Sequence, residues 1–592
     1  MSFVVSPQPA SHSVHVQFHC DGLRGETEDF KMPVWMPGFY GIQDYARYVS
    51  NFHAAGGAGH PLAWEKTTKN TWRVVSAGAA TVTLDYDVAS TRNFPAATLV
   101  NETRAYLAPP GIYMHLSGSL THSATVTFVP PSGWSSIATG LERVSGLENT
   151  YFASDFDVLY DAPILLGNQE TLRFTVKGVP HDVVIENVPA SVDRNKMLAD
   201  LQKLVEAGTG LIGDIPYSHY TFLMIGQGNG GIEHLNSASV FFNGNSLQTP
   251  AGYQGWLSYV AHEYFHNFNV KRIRPLALGP FDYDRENLTN MLWVSEGLNV
   301  YYQDILMVRA GLTTPEQYLA KMTRTIAGVE NATGHRYQSA TESSWYTWAV
   351  YGGGGLGAPD RKITISYYDK GPALGMLLDL KIRAASGNKR SLDDVMRALY
   401  RKFYQQKKRG YTDAEFREEC EGAAGESLAE IFEYAATTKE IDYAKYVSLA
   451  GLSIDLAAKP GDAAFLGVNV RALDGKLGIT SVLAGSPAAA AGITEQDEIL
   501  EVAGAPASAK SLSDAIASRK PGDKLSLRLA SRTVEVDLAA TPLRTFALQQ
   551  VANPSRSQSA IFKMWMGQGV DGALGLHHNR IGVAAPADVK SR

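Results

Sequence analysis

The segment VAHEYFHNFNVKRIRP, residues 260–275, carries two histidines four positions apart, with a glutamate directly after the first. On a helix, His262 and His266 lie about 40° from each other around the axis, so both rings can reach one ion. Glu263 is rotated by about 100° from His262, so its carboxylate can face a water molecule held by that ion. The spacing therefore predicts two metal ligands and a general base. The alternative is a helix whose two histidines are buried and hydrogen-bonded for packing alone.

The flanking residues predict the helix that this chemistry needs. Thr249 followed by Pro250 is typical of an N-cap and a first helical turn. Pro275 prevents the helix from continuing. We therefore expect one helix from about residue 251 to 273.

A third ligand must come from further along the chain, because a catalytic zinc ion takes three protein ligands and keeps a position for water. Glu296, in LWVSEGLNVYY, lies on an apolar stretch of helical pattern, where an unpaired buried carboxylate would be costly. Glu286, in the polar DYDRENLTN, is more simply a solvated or capping residue at the start of that helix. We predict one zinc ion per chain, held by His262, His266 and Glu296, with Glu286 as the alternative third ligand.

The period of the hydrophobic pattern changes along the chain and predicts a multidomain α+β fold. Short alternating runs predict an N-terminal all-β, sandwich-like domain at 1–176. Helical periodicity from 177 to 448, with a β-type run at 220–243, predicts a mainly helical domain with a small sheet. Strand-like runs return in a third domain at 449–545. The remainder, 546–592, has little periodicity, and we predict a loosely docked tail.

Composition excludes several classes of function. The net charge of -6 and pI near 6.2 give no electrostatic reason to expect nucleic acid or an anionic membrane as a partner. With Cys20 and Cys420 as the only cysteines, any metal must be held by histidine and carboxylate. The sequence contains no run of about 18 apolar residues, so it predicts no membrane-spanning helix. The compartment stays open: periplasmic or secreted if an export signal was removed, otherwise cytoplasmic.

Longer segments resemble a known family. HEYFHNFNVKRIRP followed by PFDYDRENLTNMLWVSEGLNVYY is similar to the signature of the glycyl aminopeptidase family, zinc metallopeptidases related to aminopeptidase N and thermolysin. MPVWMPGFYGIQDYAR at 32–47 is similar to the N-terminal segment of that family. The resemblance implies a thermolysin-like catalytic domain with the same metal ligands and the same base. The gap before Glu296 is longer than in the wider aminopeptidase N group, which keeps Glu286 open.

The β-type run contains GNGGIEHLNS, in which GGIEH resembles the Gly-x-Met-Glu-Asn exopeptidase motif of aminopeptidase N relatives. Gly230 and Gly231 would let a substrate backbone approach an edge strand closely. The resemblance implies that Glu233 binds the free α-amino group, which restricts cleavage to the first peptide bond. The alternative is an ordinary strand carboxylate.

A second element, SYYDKGPALGML at 366–377, is similar to the Tyr-x-Lys-Gly element of aminopeptidase N relatives. By that resemblance Tyr368 donates a hydrogen bond to the oxyanion of the transition state. Tyr367 is the neighbour that competes for this role. Two aromatic residues that pack at a helix start are the structural alternative.

The third domain resembles a PDZ domain through FLGVNV and through GSPAAAAGITEQDEILEVAG at 485–504. Such a domain binds an extended peptide by adding it to a strand edge. Here the Leu466-Gly467 loop would hold a C-terminal carboxylate and Val468 to Val470 would form the pairing strand. A packing module beside the catalytic domain is the alternative.

Taken together, the resemblance implies a zinc-dependent aminopeptidase that removes small N-terminal residues, such as glycine and alanine, from peptides with a free N-terminus. One alternative is a zinc hydrolase of another class on the same scaffold, such as an epoxide hydrolase. The other is a non-catalytic peptide-binding protein built on the PDZ domain.

Overall fold

A computed structural model describes residues 1–350, 363–455, 463–473, 476–483 and 485–568. It has a β-rich N-terminal domain, a mainly helical middle domain with one five-stranded sheet, and a small C-terminal domain of strands and two short helices. The predicted multidomain α+β fold class is confirmed.

In residues 1–167, all of which are described, the strands form one seven-stranded and two four-stranded sheets. Alternation explains the packing: in VTLDYDV the residues Val82, Leu84 and Tyr86 point inward and are fully buried, while the polar residues between them face outward. The elements of this domain are β1 (Ser2–Gln8), β2 (Ser13–Asp21), β3 (Glu28–Lys31), β4 (Val49–Ala55), β5 (Trp64–Thr68), β6 (Thr71–Val74), β7 (Thr81–Ala89), β8 (Leu99–Val100), β9 (Arg104–Leu107), β10 (His115–Leu116), β11 (Ala124–Phe128), β12 (Ser136–Thr139), β13 (Glu142–Arg143), β14 (Thr150–Ala153), α1 (Phe156–Tyr160) and β15 (Ile164–Gly167).

The sheet of the middle domain begins earlier than the sequence predicts. Its strands are β16 (Glu170–Val176), β17 (Val179–Ile185), β18 (Tyr220–Gly226), β19 (Gly230–Glu233) and β20 (Ser237–Phe242), in the order β16-β17-β18-β20-β19. The antiparallel hairpin of β16 and β17 crosses the predicted boundary at 176 and 177. That boundary is corrected to a point before residue 170, because the hairpin packs its apolar side chains into the core of the middle domain.

Helices make up most of the rest of the middle domain. They are α2 (Arg194–Ile212), α3 (Pro250–Phe265), α4 (Leu298–Arg309), α5 (Pro315–Asn331), α6 (Ala340–Trp345), α7 (Thr347–Val350), α8 (Tyr367–Ala385), α9 (Leu392–Leu399), α10 (Asp413–Ala424), α11 (Ala429–Ala436) and α12 (Tyr443–Val447). A π-helical turn, Trp293–Gly297, runs directly into α4, and a second one spans Tyr400–Lys407. Helices α2 and α3 contact the sheet. The apolar α8 lies at the centre and contacts α4, α5, α9 and α10.

The C-terminal domain is inserted between two paired strands. The elements from this point are β21 (Leu452–Ile454), β22 (Ala464–Phe465), β23 (Val468–Leu473), β24 (Lys476–Val482), α13 (Pro487–Ala490), β25 (Glu498–Val502), β26 (Ala505–Pro506), α14 (Ala509–Ala517), β27 (Lys524–Leu529), β28 (Thr533–Asp537), β29 (Ala539–Ala540), β30 (Leu548–Gln550) and α15 (Arg556–Trp565). Strand β21 pairs with β30, and the segment between them has its own hydrophobic core.

The segment after 545 is not loosely docked, which corrects the prediction for its described part. Helix α15 packs into the core of the middle domain, where Trp565 is fully buried and its Nε1 donates to the Tyr301 hydroxyl at 2.8 Å. Strand β30, with three residues, is too short for a periodic signal in the sequence. Residues 569–592 lie outside the described residues.

Within the described part of the chain, no helix is long and apolar enough to cross a membrane.

Candidate active site

Helix α3 carries both histidines but ends earlier than predicted. Its start agrees with the expected cap, since Thr249 Oγ1 accepts from the Gly252 N–H at 3.1 Å. The helix ends at Phe265 rather than near residue 273. The N–H groups of Val270 and Lys271 both donate to the His266 carbonyl at 3.0 Å, so the chain winds into irregular turns. The prediction of one continuous helix to 273 is therefore wrong.

Three donor atoms converge on one point at the end of α3. His266 Nε2 lies 3.0 Å from His262 Nε2 and 3.1 Å from Glu296 Oε2, and His262 Nε2 lies 3.6 Å from the same carboxylate oxygen. All three side chains are buried, with 1% to 8% of each exposed. Such a triangle of two imidazole nitrogens and one carboxylate oxygen can hold a divalent ion.

The irregular turns after α3 fix the orientation of the second histidine. His266 Nδ1 donates to the Asn269 carbonyl at 2.7 Å. Because a carbonyl oxygen can only accept, the proton of the neutral ring sits on Nδ1 and the lone pair on Nε2 faces the site. The Asn269 side chain in turn donates to the Val294 and Ser295 carbonyls at 3.1 Å, which ties these turns to the backbone that carries Glu296.

Glu296 lies in the π-helical turn Trp293–Gly297, at a point where two helices approach closely. A Cβ atom on Gly297 would stand 2.6 Å from the Gly371 Cα, and one on Gly371 would stand 2.4 Å from the Gly297 Cα. Both glycines are therefore needed for α8 to pack against this turn. The contact sets the position of Glu296 and brings the start of α8 beside it.

Glu286 does not reach the histidines. It lies in the irregular segment before the π-helical turn and is partly exposed. Among the described residues, the group of donor atoms that includes both histidines is completed by Glu296.

The N-terminal domain contributes a hydroxyl that contacts the donor triangle of His262, His266 and Glu296. Tyr40 Oη donates to Glu296 Oε1 at 3.2 Å, on the oxygen that does not face the histidines. Burial, together with the negative charges of Glu296 and Glu233, raises the pKa of Tyr40 well above its usual value, so its hydroxyl keeps its proton. Sequence reasoning missed this contact: Tyr40 lies inside the segment 32–47, but nothing in its spacing points to a carboxylate 256 positions away.

The carboxylate of Glu263 is enclosed beside the triangle. Burial, helped by the charges of Glu233 and Glu296, raises the pKa of Glu263 to about 8, against the opposing effect of His266. A Cβ atom on Gly231 would stand 2.7 Å from Glu263 Oε1. Gly231 is therefore needed to leave room for the Glu263 carboxylate, a role that the sequence did not indicate.

The triangle favours positive charge. Burial lowers the pKa of His266, but the carboxylates of Glu296 and Glu233 outweigh it and raise the pKa to about 9. Burial opposes ionisation of Glu296, yet His266 and His262 lower the pKa of its carboxyl, so it carries a negative charge. Burial lowers the pKa of His262. An environment that stabilises a proton on His266 also stabilises a metal cation between these donors.

Glu233 lies at the end of the edge strand β19 and is buried. One oxygen each from Glu233 and Glu263 and one nitrogen of His266 lie within 4.8 Å of one another, so the strand brings this carboxylate next to the donor triangle. Gly230, the first residue of the same strand, has a positive φ of 99°. Gly38, from the N-terminal domain, covers Glu233: a Cβ there would stand 2.9 Å from Glu233 Oε2.

The two tyrosines at the start of α8 have different surroundings. The Tyr368 ring lies 6.2 Å from the His262 ring, measured between centroids. Tyr367 is buried, and its hydroxyl shares a hydrogen bond of 2.9 Å with the Thr347 hydroxyl. The geometry therefore brings Tyr368 to the edge of the triangle, whereas Tyr367 is part of the surrounding packing.

Comparison with known protein families gives three matches along the chain. Residues 3–168 match the peptidase M61 N-terminal domain, residues 255–374 match the M61 glycyl aminopeptidase domain, and residues 464–538 match a PDZ domain. The chain carries the N-terminal and catalytic domains of the M61 glycyl aminopeptidase family. The resemblance stated from the sequence is thereby confirmed: the chain combines these M61 domains with a PDZ domain, and the protein is a metallo-aminopeptidase. Glu233 lies outside the matched segments.

Among the similar solved structures, one supports the fold of nearly the whole chain. An aminopeptidase N family protein from Idiomarina loihiensis is 24% identical, with a TM-score of 0.84 over 95% of this chain and 99% of that chain. An M1 zinc metallopeptidase from Deinococcus radiodurans is 13% identical, with a TM-score of 0.47 over 74% of this chain and 94% of that one. Yeast LTA4 hydrolase is 12% identical, with a TM-score of 0.46 over 76% and 70%. Comparison of this chain with curated proteins found no match.

Proposed function

We propose that the protein is a zinc-dependent aminopeptidase that removes single N-terminal residues, preferentially glycine and alanine, from peptides with a free amino terminus. The convergence of His262, His266 and Glu296 beside Glu263 supports this proposal most directly. The match of residues 255–374 to a glycyl aminopeptidase domain supports the preference for small residues.

The donor set fits one zinc ion. A tetrahedral ion with ligands at about 2.0–2.1 Å separates its ligand atoms by about 3.3 Å. The three distances between donor atoms, 3.0, 3.1 and 3.6 Å, are close to that value. When bound, zinc would lower the pKa of a water molecule and polarise the carbonyl of the scissile bond.

Glu263 is the proposed general base and acid. It is next to His262 in sequence, and its carboxylate lies beside the donor triangle, with one oxygen within 4.8 Å of a His266 nitrogen and Gly231 of β19 making room for it. A carboxyl whose pKa is raised to about 8 by burial holds a proton more strongly than an exposed one. Glu263 would take a proton from the attacking water and return it to the departing amine.

Glu233 is the proposed anchor for the α-amino group. A buried carboxylate close to the reacting carbonyl offers a charge-assisted hydrogen bond to an ammonium group. Because it lies within 4.8 Å of the Glu263 and His266 donor atoms, only the first peptide bond would reach the site when the terminus is bound. Gly230 and Gly231, on the same edge strand, would pair with the substrate backbone.

Tyr368 is the proposed donor to the oxyanion. Its ring centroid lies 6.2 Å from that of His262, and α8 is held beside Glu296 by the Gly297 and Gly371 contact. One such donor typically contributes about 3 kcal/mol to stabilisation of the transition state.

For the PDZ domain we propose an extended peptide as ligand. Strand β23 lies at one end of its sheet, and among the described strands none pairs with its outer edge, to which a peptide strand could be added. The Leu466-Gly467 loop that precedes β23 would hold the terminal carboxylate.

Hydrolysis of glycyl and alanyl anilides, beside the N-acetylated forms of the same compounds, tests the proposed function. We expect cleavage of the free amines only, since acetylation removes the charge that Glu233 binds. Equal cleavage of both forms would contradict the aminopeptidase assignment. Turnover of epoxides without turnover of anilides would favour a zinc hydrolase of the epoxide hydrolase class. Binding of peptides without hydrolysis of either compound would favour a non-catalytic peptide-binding protein.

The role of Glu263 is tested by replacing it with glutamine. We expect Glu263→Gln to lower kcat by about 10²- to 10⁴-fold and to leave the zinc content unchanged, because the side chain moves a proton rather than binding metal. Glu286→Gln is the matched control, since it makes the same change on a partly exposed loop. Retained hydrolysis by Glu263→Gln would refute the assigned base.

A further inference from the structure

A buried lysine lies beside the carboxylate that we assign to the substrate amine. Lys271 Nζ lies 2.8 Å from Asp161 Oδ1 and 3.7 Å from Glu233 Oε1. The three side chains are at most 10% exposed. A lysine ammonium has the same charge and donors as the amino terminus of a peptide. If Lys271 paired with Glu233, it would occupy the position that the substrate needs.

Asp161 is the partner that holds this lysine. Its Oδ2 accepts from the Leu235 N–H at 2.7 Å, and its Oδ1 lies 3.2 Å from His234 Nδ1. With Lys271, three donors surround the carboxylate, and the lysine and His234 lower its pKa although burial opposes ionisation. Asp161 is therefore a fixed, ionised partner that neutralises the charge of Lys271.

Glu233 Oε1 forms a long ion pair with Lys271 but accepts no hydrogen bond from it. At 3.7 Å, Lys271 Nζ is beyond hydrogen-bond distance, and Glu233 Oε1 has no hydrogen-bond partner among the described residues. A buried carboxylate oxygen in this state gains most from an added ammonium donor.

We propose that Asp161 keeps Lys271 away from Glu233 and so leaves Glu233 available to bind the substrate amine. Both are positioning residues, and the proposal rests on the assignment of Glu233 in the proposed function. Asp161 follows α1 in the N-terminal domain, while Lys271 and Glu233 belong to the catalytic domain. The docking of the two domains would therefore determine how well the amino terminus is bound.

Asp161→Asn and the double variant Asp161→Asn/Lys271→Met test this relation. In the single variant, Lys271 keeps Glu233 as its nearest carboxylate and competes with the substrate, so we expect KM for glycyl anilide to rise at least about tenfold with kcat within about twofold. In the double variant the competing ammonium and its partner are both removed, so KM should return to within about threefold of the wild-type value. Zinc content should equal that of the wild type in both variants.

Asp304→Asn is the matched control. Asp304 is mostly buried and pairs with Lys321 at 2.5 Å, outside the group of metal donors. We expect the wild-type KM for this variant. A double variant with KM as high as that of Asp161→Asn would overturn the proposal, because a merely structural role of Asp161 is not rescued by removing the lysine. An unchanged KM in Asp161→Asn would also overturn it, while equal cleavage of acetylated and free glycyl anilide by the wild type would instead refute the role of Glu233 in the proposed function.

Discussion

The proposed zinc-binding cluster and the PDZ domain are built in opposite ways. The cluster takes Tyr40 from the N-terminal domain, Glu233 from an edge strand, two histidines from α3 and Glu296 from a π-helical turn. The PDZ domain is one continuous segment with its own core, and its ends meet where the Thr541 N–H donates to the Ala463 carbonyl at 3.0 Å. The proposed active site therefore depends on how two domains dock, whereas the PDZ domain has a hydrophobic core of its own.

The largest effect should follow from removing the carboxylate ligand. We expect Glu296→Gln to lose zinc and to lower activity more than about 100-fold, because a neutral amide is a poor ligand and its donor group would face the histidines. Zinc content per chain and anilide hydrolysis measure this. Glu286→Gln should keep both. If Glu286→Gln lost the zinc and Glu296→Gln kept it, the third ligand would be Glu286.

A smaller effect should come from the N-terminal domain. Tyr40→Phe removes the hydroxyl that bonds Glu296 Oε1, and loss of such a contact to a ligand typically lowers metal affinity by about 10- to 100-fold. Competition for zinc with a chelator of known affinity measures the change. Tyr45→Phe is the control, since its buried hydroxyl bonds the Ala96 carbonyl at 2.7 Å within its own domain. Equal zinc affinity of Tyr40→Phe and the wild type would show that the cluster does not depend on this docked residue.

The close approach of α8 to the π-helical turn should be sensitive to one methyl group. We expect Gly371→Ala to lower the free energy of unfolding by about 1–3 kcal/mol, because the new Cβ would stand 2.4 Å from the Gly297 Cα. Thermal or denaturant unfolding measures this. Gly422→Ala, in α10, adds the same methyl group where no other atom lies within 4 Å, and it should be neutral or slightly stabilising. Equal stability of the two variants would contradict the tight contact.

The smallest effect should come from removing the PDZ domain. Replacement of residues 463–541 by a short Gly-Ser linker should leave kcat/KM for glycyl anilide within about twofold, because β21 and β30 still pair and hold the flanking chain in place. Comparison of a short anilide with a long peptide measures the contribution of the domain. A selective loss on the long peptide would support a peptide ligand in the groove beside β23. A loss on the anilide as well would show that the two regions are coupled.

Local patterns along the chain predicted much of the fold. The alternating runs, the helical periods and the glycine- and proline-rich breaks identify the domain types because they depend on neighbouring residues. The predicted domain boundaries at 176 and 545 differ from the structure because two strands pair across them. Strand β16 pairs with β17, and β30 pairs with β21. Strand pairing depends on distant residues, which a local pattern does not contain. The end of α3 was missed for a similar reason, since Asn269 bonds the backbone near Glu296.

By itself, the sequence determined the residue types of the proposed metal site: two histidines one helical turn apart, a glutamate between them, and one carboxylate on an otherwise apolar segment. Only the tertiary structure decided which carboxylate completes the donor set, that Tyr40 bonds it, and that Asp161 and Lys271 form a buried pair beside Glu233. The physical reason is the range of the interactions. Helical spacing is fixed within one turn of backbone, whereas these contacts join residues far apart in the chain and exist only when the two domains are packed together.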